Sequence, residues 1–239
     1  MPEHMLLNAE THRDLRIRRE RSEALGDAVM TAMIVPDEFR RVQGDYPILF
    51  RRNRERDAYI AVALLGFEGG ENLFLTDDRW DAAYLPLSID IQPFLMSGAP
   101  DADADAPRKA VVDMGSPRIA DGEGVRVFDR DGRPTPYLET ILERLGALDV
   151  GYRAATSFFT ALDRYGLIEP FTLEVTLNDG STNRLVGFHT IAEDRLRELN
   201  AAALGELNRD GHLLPIFMAV ASLANLPALI ARKNQVRGG

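Results

Sequence analysis

With 239 residues, of which 45% are hydrophobic and 27% charged, the chain has an ordinary globular composition and enough length to bury a core, which excludes wholesale disorder and a coiled coil. Its formal net charge of −9 disfavours nucleic acid as a partner, because an acidic surface repels a polyanion. The absence of cysteine excludes disulfides, thiolate zinc sites and a cysteine nucleophile, so stability must come from packing.

The first 30 residues interleave basic and acidic side chains, which predicts a solvated helical arm over residues 1–30. The charged residues of this segment include Glu10, Arg13, Asp14, Arg16, Arg18, Arg19, Glu20, Arg21 and Glu23. On a helix, opposite charges three and four residues apart stabilise one another. The same arginines interrupt the apolar run that a secretory signal requires, so we expect a soluble, cytoplasmic protein.

Short apolar runs bounded by glycine and proline predict that the rest of the first half is rich in strands. These runs cover residues 33–35, 48–50, 58–67, 72–75, 110–114 and 125–128. Between them, residues 98–107 (GAPDADADAP) have no large apolar side chain and predict a mobile acidic loop. Its alternating aspartates lack the glycine and glutamate of an EF-hand calcium loop, so no calcium site is predicted.

The second half has helical periodicity. We predict helices over 137–148, 154–165 and 193–209, with a hairpin formed by 171–177 and 185–188. Strands in the first half and helices in the second, without regular alternation, predict an α+β fold in one compact domain over residues 1–239.

One apolar segment, 213–231, approaches the length of a membrane span. It contains Pro215, Asn225 and Pro227, which leave backbone groups without partners in a single-pass helix in lipid. The interpretation is a buried core helix and no stable membrane insertion, with a membrane or interfacial segment as the alternative.

Motifs that carry catalysis or bind cofactors are absent from the sequence. The four histidines, His4, His12, His189 and His212, have no spacing that would place two of them on a metal face. Neither a glycine-rich phosphate loop nor a GxSxG nucleophile elbow is present. We therefore predict no metal and no cofactor, and we assign no catalytic residue.

The densest unusual stretch is residues 72–94 (NLFLTDDRWDAAYLPLSIDIQPF), where aromatic residues alternate with prolines. Rigid proline backbone and flat rings can form a groove for a peptide or a partner enzyme. The candidate groove residues are Asn72, Trp80, Tyr84, Pro86, Gln92 and Phe94. The alternative is that these side chains fill the core, as large aromatic residues more often do.

Motifs along nearly the whole chain resemble the SapC family, bacterial proteins named after a surface-array locus and unrelated to the peptide-permease subunit of the same name. They are LNAETHRDLRI at 7–17, VPDEF at 35–39, YPILF at 46–50, ALLGF and GGENLF within 63–74, tryptophan followed by AYLP within 80–86, QPF at 92–94, FDRDGRPTPYL at 128–138 and GLIEP at 166–170. As a set they are specific, although each is weak alone.

The resemblance implies a helper in peptide or small-molecule modification or uptake, because such proteins are often encoded beside outer-membrane receptors, halogenases and oxygenases. It supplies no catalytic residue. Family members usually carry one or two arginines just before the PF pair, where this chain has Asp90 and Ile91. If those arginines bind an anion, this chain should bind it poorly.

Three classes of function follow. The leading hypothesis is a non-catalytic binding or accessory protein with a peptide or a modifying enzyme as its partner. The first alternative is an enzyme with a carboxylate-based site, drawn from Glu71, Asp77, Asp78, Asp81, Asp90, Asp113 and Glu123. The second is a winged-helix DNA-binding module, since helices 137–148 and 154–165 precede a hairpin; its recognition helix would carry one basic residue, Arg164, which disfavours it.

Overall fold

The computed structural model describes residues 3–53, 58–76, 78–97 and 109–238, with side chains described as far as residue 236. The acidic segment 98–107, predicted as a mobile loop, lies outside the described residues. The strands are β1 (His4–Leu6), β2 (Arg16–Ile17), β3 (Thr31–Ile34), β4 (Ile48–Asn53), β5 (Ala58–Leu64), β6 (Leu75–Thr76), β7 (Arg79–Trp80), β8 (Phe94–Met96), β9 (Ala110–Asp113), β10 (Ile119–Ala120), β11 (Val125–Arg126), β12 (Ile168–Thr176) and β13 (Thr182–Ile191).

Most of the helical residues follow in the second half of the chain. The α-helices are α1 (Phe39–Val42), α2 (Leu87–Asp90), α3 (Pro136–Arg164), α4 (Glu193–Arg197), α5 (Ala201–Arg209), α6 (Leu213–Ser222) and α7 (Leu226–Gly238). Short 3₁₀ helices cover Glu23–Leu25, Pro36–Glu38 and Leu223–Asn225. The prediction of an α+β fold, with strands first and helices later in a single compact unit, is confirmed.

The largest sheet has five antiparallel strands in the order β12-β13-β4-β5-β3. The predicted hairpin is present as β12 and β13, joined by a turn in which the Leu177 amide donates to the Ser181 carbonyl. The smaller sheets have the orders β1-β9-β8, β10-β2-β11 and β6-β7. Strands distant in sequence thus pair around the N-terminal segment.

The prediction of a helical arm over 1–30 is wrong. The described part of that segment contains β1, β2 and a 3₁₀ helix but no α-helix. Leu15 and Ile17 are buried. The strand β2 pairs with β10 on one side and β11 on the other, and both partners lie about a hundred positions further along the chain. The interleaved charges were compatible with a helix, but burial of alternate apolar side chains against distant strands favours extended backbone.

One long helix, α3, replaces the two helices predicted over 137–148 and 154–165. It begins at the Thr135 cap, whose hydroxyl accepts from the Leu138 amide at 3.4 Å. Asp149 and Arg153 form an ion pair across the predicted break, one turn apart. The helix–helix–hairpin order on which the winged-helix alternative depended is therefore not present.

Helix α3 connects two clusters of buried apolar residues. Its first half contributes Leu138, Ile141, Leu145 and Leu148 to the core beneath the N-terminal segment, together with Phe94. Its second half contributes Phe158, Phe159 and Leu162 to the core of the five-stranded sheet. The halves of the helix therefore join the two cores into one unit.

The apolar C-terminal segment forms α6, a 3₁₀ turn and α7. By length and composition residues 213–236 are apolar enough to cross a membrane, and 28% of their most apolar window is buried, so the predicted core helix is only partly enclosed by the rest of the protein. Polar side chains connect these helices to the sheet region. Ser222 Oγ accepts from the Ile48 amide at 2.8 Å, and Asn225 Nδ2 donates to the Gln43 carbonyl at 2.8 Å. Lys233 is buried and forms ion pairs with Glu68 and Glu71.

Candidate functional site

The three aromatic residues of the predicted groove divide between the two cores. Phe94 is fully buried in the core beneath the N-terminal segment. Trp80 and Tyr84 are partly buried against the other core, and Pro86 is buried. Phe74 and Phe94 are thus buried while Trp80 and Tyr84 are partly buried, which favours packing, the alternative that the sequence left open.

A chain of hydrogen bonds fixes Trp80 and Tyr84. The Trp80 indole donates to the Tyr46 hydroxyl at 2.7 Å, and the Tyr46 hydroxyl donates to the Tyr84 carbonyl. The Tyr84 hydroxyl donates to Glu38 Oε1 at 2.8 Å. Burial raises the pKa of both tyrosines, so both remain protonated donors at neutral pH.

Glu38 lies at the end of this chain and is 1% exposed. Besides Tyr84, its carboxyl group accepts from the Val35 amide at 3.1 Å and from the Leu87 amide at 3.0 Å. Burial raises the pKa of Glu38, and the three donors oppose that rise without cancelling it. Its oxygens thus bind the backbone before α1 and at the start of α2, which is a structural role.

The most distinctive polar feature is a row of alternating charges, Arg118–Asp27–Arg21–Asp90–Arg144. Arg118 and Asp27 are 1% and 0% exposed, and one guanidinium nitrogen of Arg118 lies 2.6 Å from each Asp27 oxygen. Arg21 lies 3.4 Å from Asp27 and 3.0 Å from Asp90, and Arg144 pairs with the second oxygen of Asp90.

This ionic row holds the N-terminal segment against α2 and α3. Arg118 also donates to the carbonyls of Arg18 and Glu20, at 3.2 and 3.0 Å. Burial is the first cause that lowers the pKa of Arg21, and the positive charge of Arg118 is the second. A buried charge that loses its partner is costly, so each carboxylate of the row stabilises the arginines on either side of it.

Two clefts flank Arg21, which lines both. The larger cleft has a volume of about 500 Å³, within the usual range for ligand sites. It is lined by Arg21, Ser22, Glu23, Ala28, Gly70, Glu71, Asn72, Leu73, Leu75, Asp78 and Val236. The smaller cleft is lined by Arg18, Arg19, Arg21, Asp90, Gln92, Arg118, Tyr137 and Arg144.

Two of the six predicted groove residues line these clefts, and they line different ones. Asn72 lies in the larger cleft, where its amide donates to the Asp27 carbonyl at 2.8 Å. Gln92 lies in the smaller cleft. The other four, Trp80, Tyr84, Pro86 and Phe94, line neither. Neither cleft therefore brings the six predicted residues together.

Most of the carboxylates proposed for an enzyme have structural partners. Glu71 binds Lys233 and accepts from the Phe67 amide, and Asp81 binds Arg232. Asp90 belongs to the ionic row, and Asp113 accepts from the amides of Glu3 and Gly115. Asp78 and Glu123 are exposed, and Asp77 lies outside the described residues.

No metal site is evident in the part of the chain that the structure describes. Within those residues there is no group of three or more histidine, aspartate or glutamate side chains that could hold an ion.

A comparison with protein-family models identifies the chain's relatives. The SapC model matches residues 7–229. The chain belongs to the SapC family. The comparisons with curated proteins and with solved structures gave no match. The resemblance led us to expect arginine at position 90 of this SapC-family chain. Asp90 stands there instead and forms ion pairs with Arg21 and Arg144.

Proposed function

We propose that this SapC-family protein is a non-catalytic binding or accessory protein whose ligand, a peptide or a segment of a modifying enzyme, occupies the larger cleft. The observation that carries the proposal is the cleft itself, because its volume of about 500 Å³ suits several residues of an extended chain. The residues that line it include Asn72, Leu73, Leu75 and Asp78, from the start of the predicted aromatic stretch.

The lining of the larger cleft favours a peptide with basic and apolar side chains. Leu73, Leu75 and Val236 supply apolar surface. Glu23 and Asp78 are exposed, and neither forms an ion pair with another described residue. Their carboxylates are therefore available to a lysine, an arginine or an amino terminus of the ligand.

Binding is favoured over catalysis by the position of Glu38. A catalytic acid requires a carboxyl group of raised pKa that can reach a substrate. Glu38 has a raised pKa but is buried, accepts three hydrogen bonds and lines neither cleft. Its raised pKa follows from burial at a position where it binds backbone amides.

The proposal includes a cytoplasmic location without stable membrane insertion. Ser222, Asn225 and Lys233 bind groups of the sheet region, and insertion of α6 and α7 in a bilayer would break those bonds. We also propose, from what the resemblance implies, that it acts in a bacterial peptide or small-molecule modification or uptake system.

A hexapeptide library tests the proposed function. The wild-type protein should select peptides in which lysine or arginine adjoins leucine-like residues, and the recovered peptides should keep their mass. The Glu23→Lys/Asp78→Lys variant should lose this selection, because it reverses two charges in the cleft. Glu143→Lys/Glu169→Lys makes the same change at exposed positions that line neither cleft and should behave as wild type.

Three outcomes would overturn the proposal: no selection by the wild type, equal loss in both variants, or peptides recovered with a changed mass, which would favour an enzyme.

A further inference from the structure

The smaller cleft concentrates positive charge on an acidic protein. Five arginines line it, against Asp90 in the cleft and Asp27 behind Arg118, so the group has an excess of three positive charges while the chain as a whole carries −9. Arginines held close together repel one another, and a bound anion offsets that repulsion.

Several donors in this cleft have no acceptor among the described residues. Arg18 and Arg19 are exposed and form no ion pair in the part of the chain that is described, although Arg19 lies over the Tyr137 ring, 5.4 Å from its centroid. The buried Nε–H of Arg118 likewise has no partner there. A buried donor without an acceptor is rare, and it indicates a group that the described chain does not supply.

Tyr137 and Gln92 complete the set of donors. Burial, opposed by Arg19 and Arg21, raises the pKa of Tyr137 to about 12, so the hydroxyl stays protonated. Guanidinium, phenol and amide groups together are donors that recognise oxyanions, and the planar guanidinium matches a phosphate in a bidentate manner.

We propose that the smaller cleft is a binding site for a phosphate group, in which Arg18, Arg19 and Arg144 bind the oxygens. A phosphate carries nearly two negative charges at neutral pH, which matches the excess of three better than a single carboxylate does. The enclosed space of the cleft is about 10 Å³, room for about one water molecule, so the phosphate group would lie at the mouth of the cleft, where Arg18 and Arg19 are exposed, and the rest of a larger ligand would stay outside. The site does not depend on the larger cleft.

Asp90 sets the affinity of this site. Its carboxylate already bridges Arg21 and Arg144, so it competes with an incoming phosphate for the same donors. Removal of its charge, with the shape kept in Asp90→Asn, should tighten phosphate binding by about threefold or more, since a charge-assisted hydrogen bond is released.

Titration of the full-length protein with inorganic phosphate, followed by calorimetry and by the arginine Nε–Hε NMR signals, tests the proposal. We expect saturable binding that shifts the signals of Arg18, Arg19 and Arg144. Arg18→Gln/Arg19→Gln should weaken it about tenfold, because two charged donors are lost. Both arginines are exposed, so this variant should fold. Acetate should bind more weakly than phosphate.

Arg40→Gln/Arg209→Gln is the matched control, because it removes two positive charges at exposed positions that do not line the cleft. It should bind phosphate as the wild type does. The proposal is overturned by a lack of saturable phosphate binding, by equal weakening in the control, by tighter binding of acetate, or by NMR shifts confined to other arginines. Weaker binding in a folded Asp90→Asn variant would also contradict it.

Discussion

At the scale of single residues, Glu38 shows how one buried carboxyl group can organise polar contacts without serving a reaction. It accepts from two backbone amides and from the Tyr84 hydroxyl while being 1% exposed. Desolvation raises its pKa above that of an unfolded glutamate. This direction gives a prediction about stability and pH.

The stabilising contribution of Glu38 should fall as the pH rises. A carboxyl group with a raised folded pKa contributes its full stability below the unfolded pKa of about 4.3 and loses it as the pH rises through the folded value. Glu38→Gln cannot titrate. The unfolding free energy of the wild type minus that of Glu38→Gln should therefore decrease between about pH 4 and about pH 7, measured by urea denaturation. A difference that grows with pH would contradict the raised pKa.

Trp80 tests whether the aromatic stretch is packing. Its ring lies partly buried against the larger core, and its indole donates to Tyr46. Trp80→Ala should lower the unfolding free energy by about 2 to 4 kcal/mol, because it leaves a cavity and removes the hydrogen bond that the indole donates to the Tyr46 hydroxyl. Trp80→Phe keeps most of the packing and should cost about 1 kcal/mol. Urea denaturation midpoints of the two variants distinguish packing from an open groove. A loss of unfolding free energy below about 1 kcal/mol for Trp80→Ala would favour an open groove.

At the scale of elements, α3 approaches the turn before α1 so closely that glycine is required at the crossing. A Cβ placed on Gly151 would lie 2.5 Å from Val35 Cγ2 and 2.9 Å from Val35 Cβ. Val35 is itself buried in the core beneath the N-terminal segment. The absence of a side chain therefore lets the long helix pack against this core.

Substitution of two glycines in the same helix should have opposite effects. Gly151→Ala should lower the unfolding free energy by about 1 to 3 kcal/mol, because the helix must move away from Val35. Gly146→Ala is the matched control: nothing lies within 4 Å of its added Cβ, and it should stabilise by about 0.5 to 1 kcal/mol. Thermal or urea unfolding of both variants measures the difference, and equal effects would contradict the close crossing.

Elements formed by local sequence were predictable, whereas elements formed by distant pairing were not. The β12–β13 hairpin was predicted because its alternating strands and its turn adjoin in sequence. The strand β2 was missed because its partners, β10 and β11, lie about a hundred residues away, and a two-residue strand has no periodicity of its own. The charges around it indicated a helix only while those partners were unknown.

At the scale of the whole molecule, the clefts were not predictable for the same reason. Arg21, Asp27, Asp90, Arg118 and Arg144 come from four separate parts of the chain, and none lies in a motif. From the sequence, Arg21 was predicted to be one of the exposed charges of a solvated helix. In the fold its side chain is largely buried between the carboxylates of Asp27 and Asp90. Of the predicted groove residues, Asn72 and Gln92 reach clefts, one in each.

The proposed binding of a peptide-like ligand in the larger cleft beside Arg21 can be measured by an NMR titration of the ¹⁵N-labelled protein with a hexapeptide of alternating lysine and leucine. We expect saturable shifts of the backbone amides of Ser22, Glu23, Asn72 and Leu75, which line that cleft. The Trp80 indole signal should stay in place, because it is held by Tyr46. A lack of saturable shifts, or shifts centred on Trp80 and Tyr84 instead, would contradict the claim.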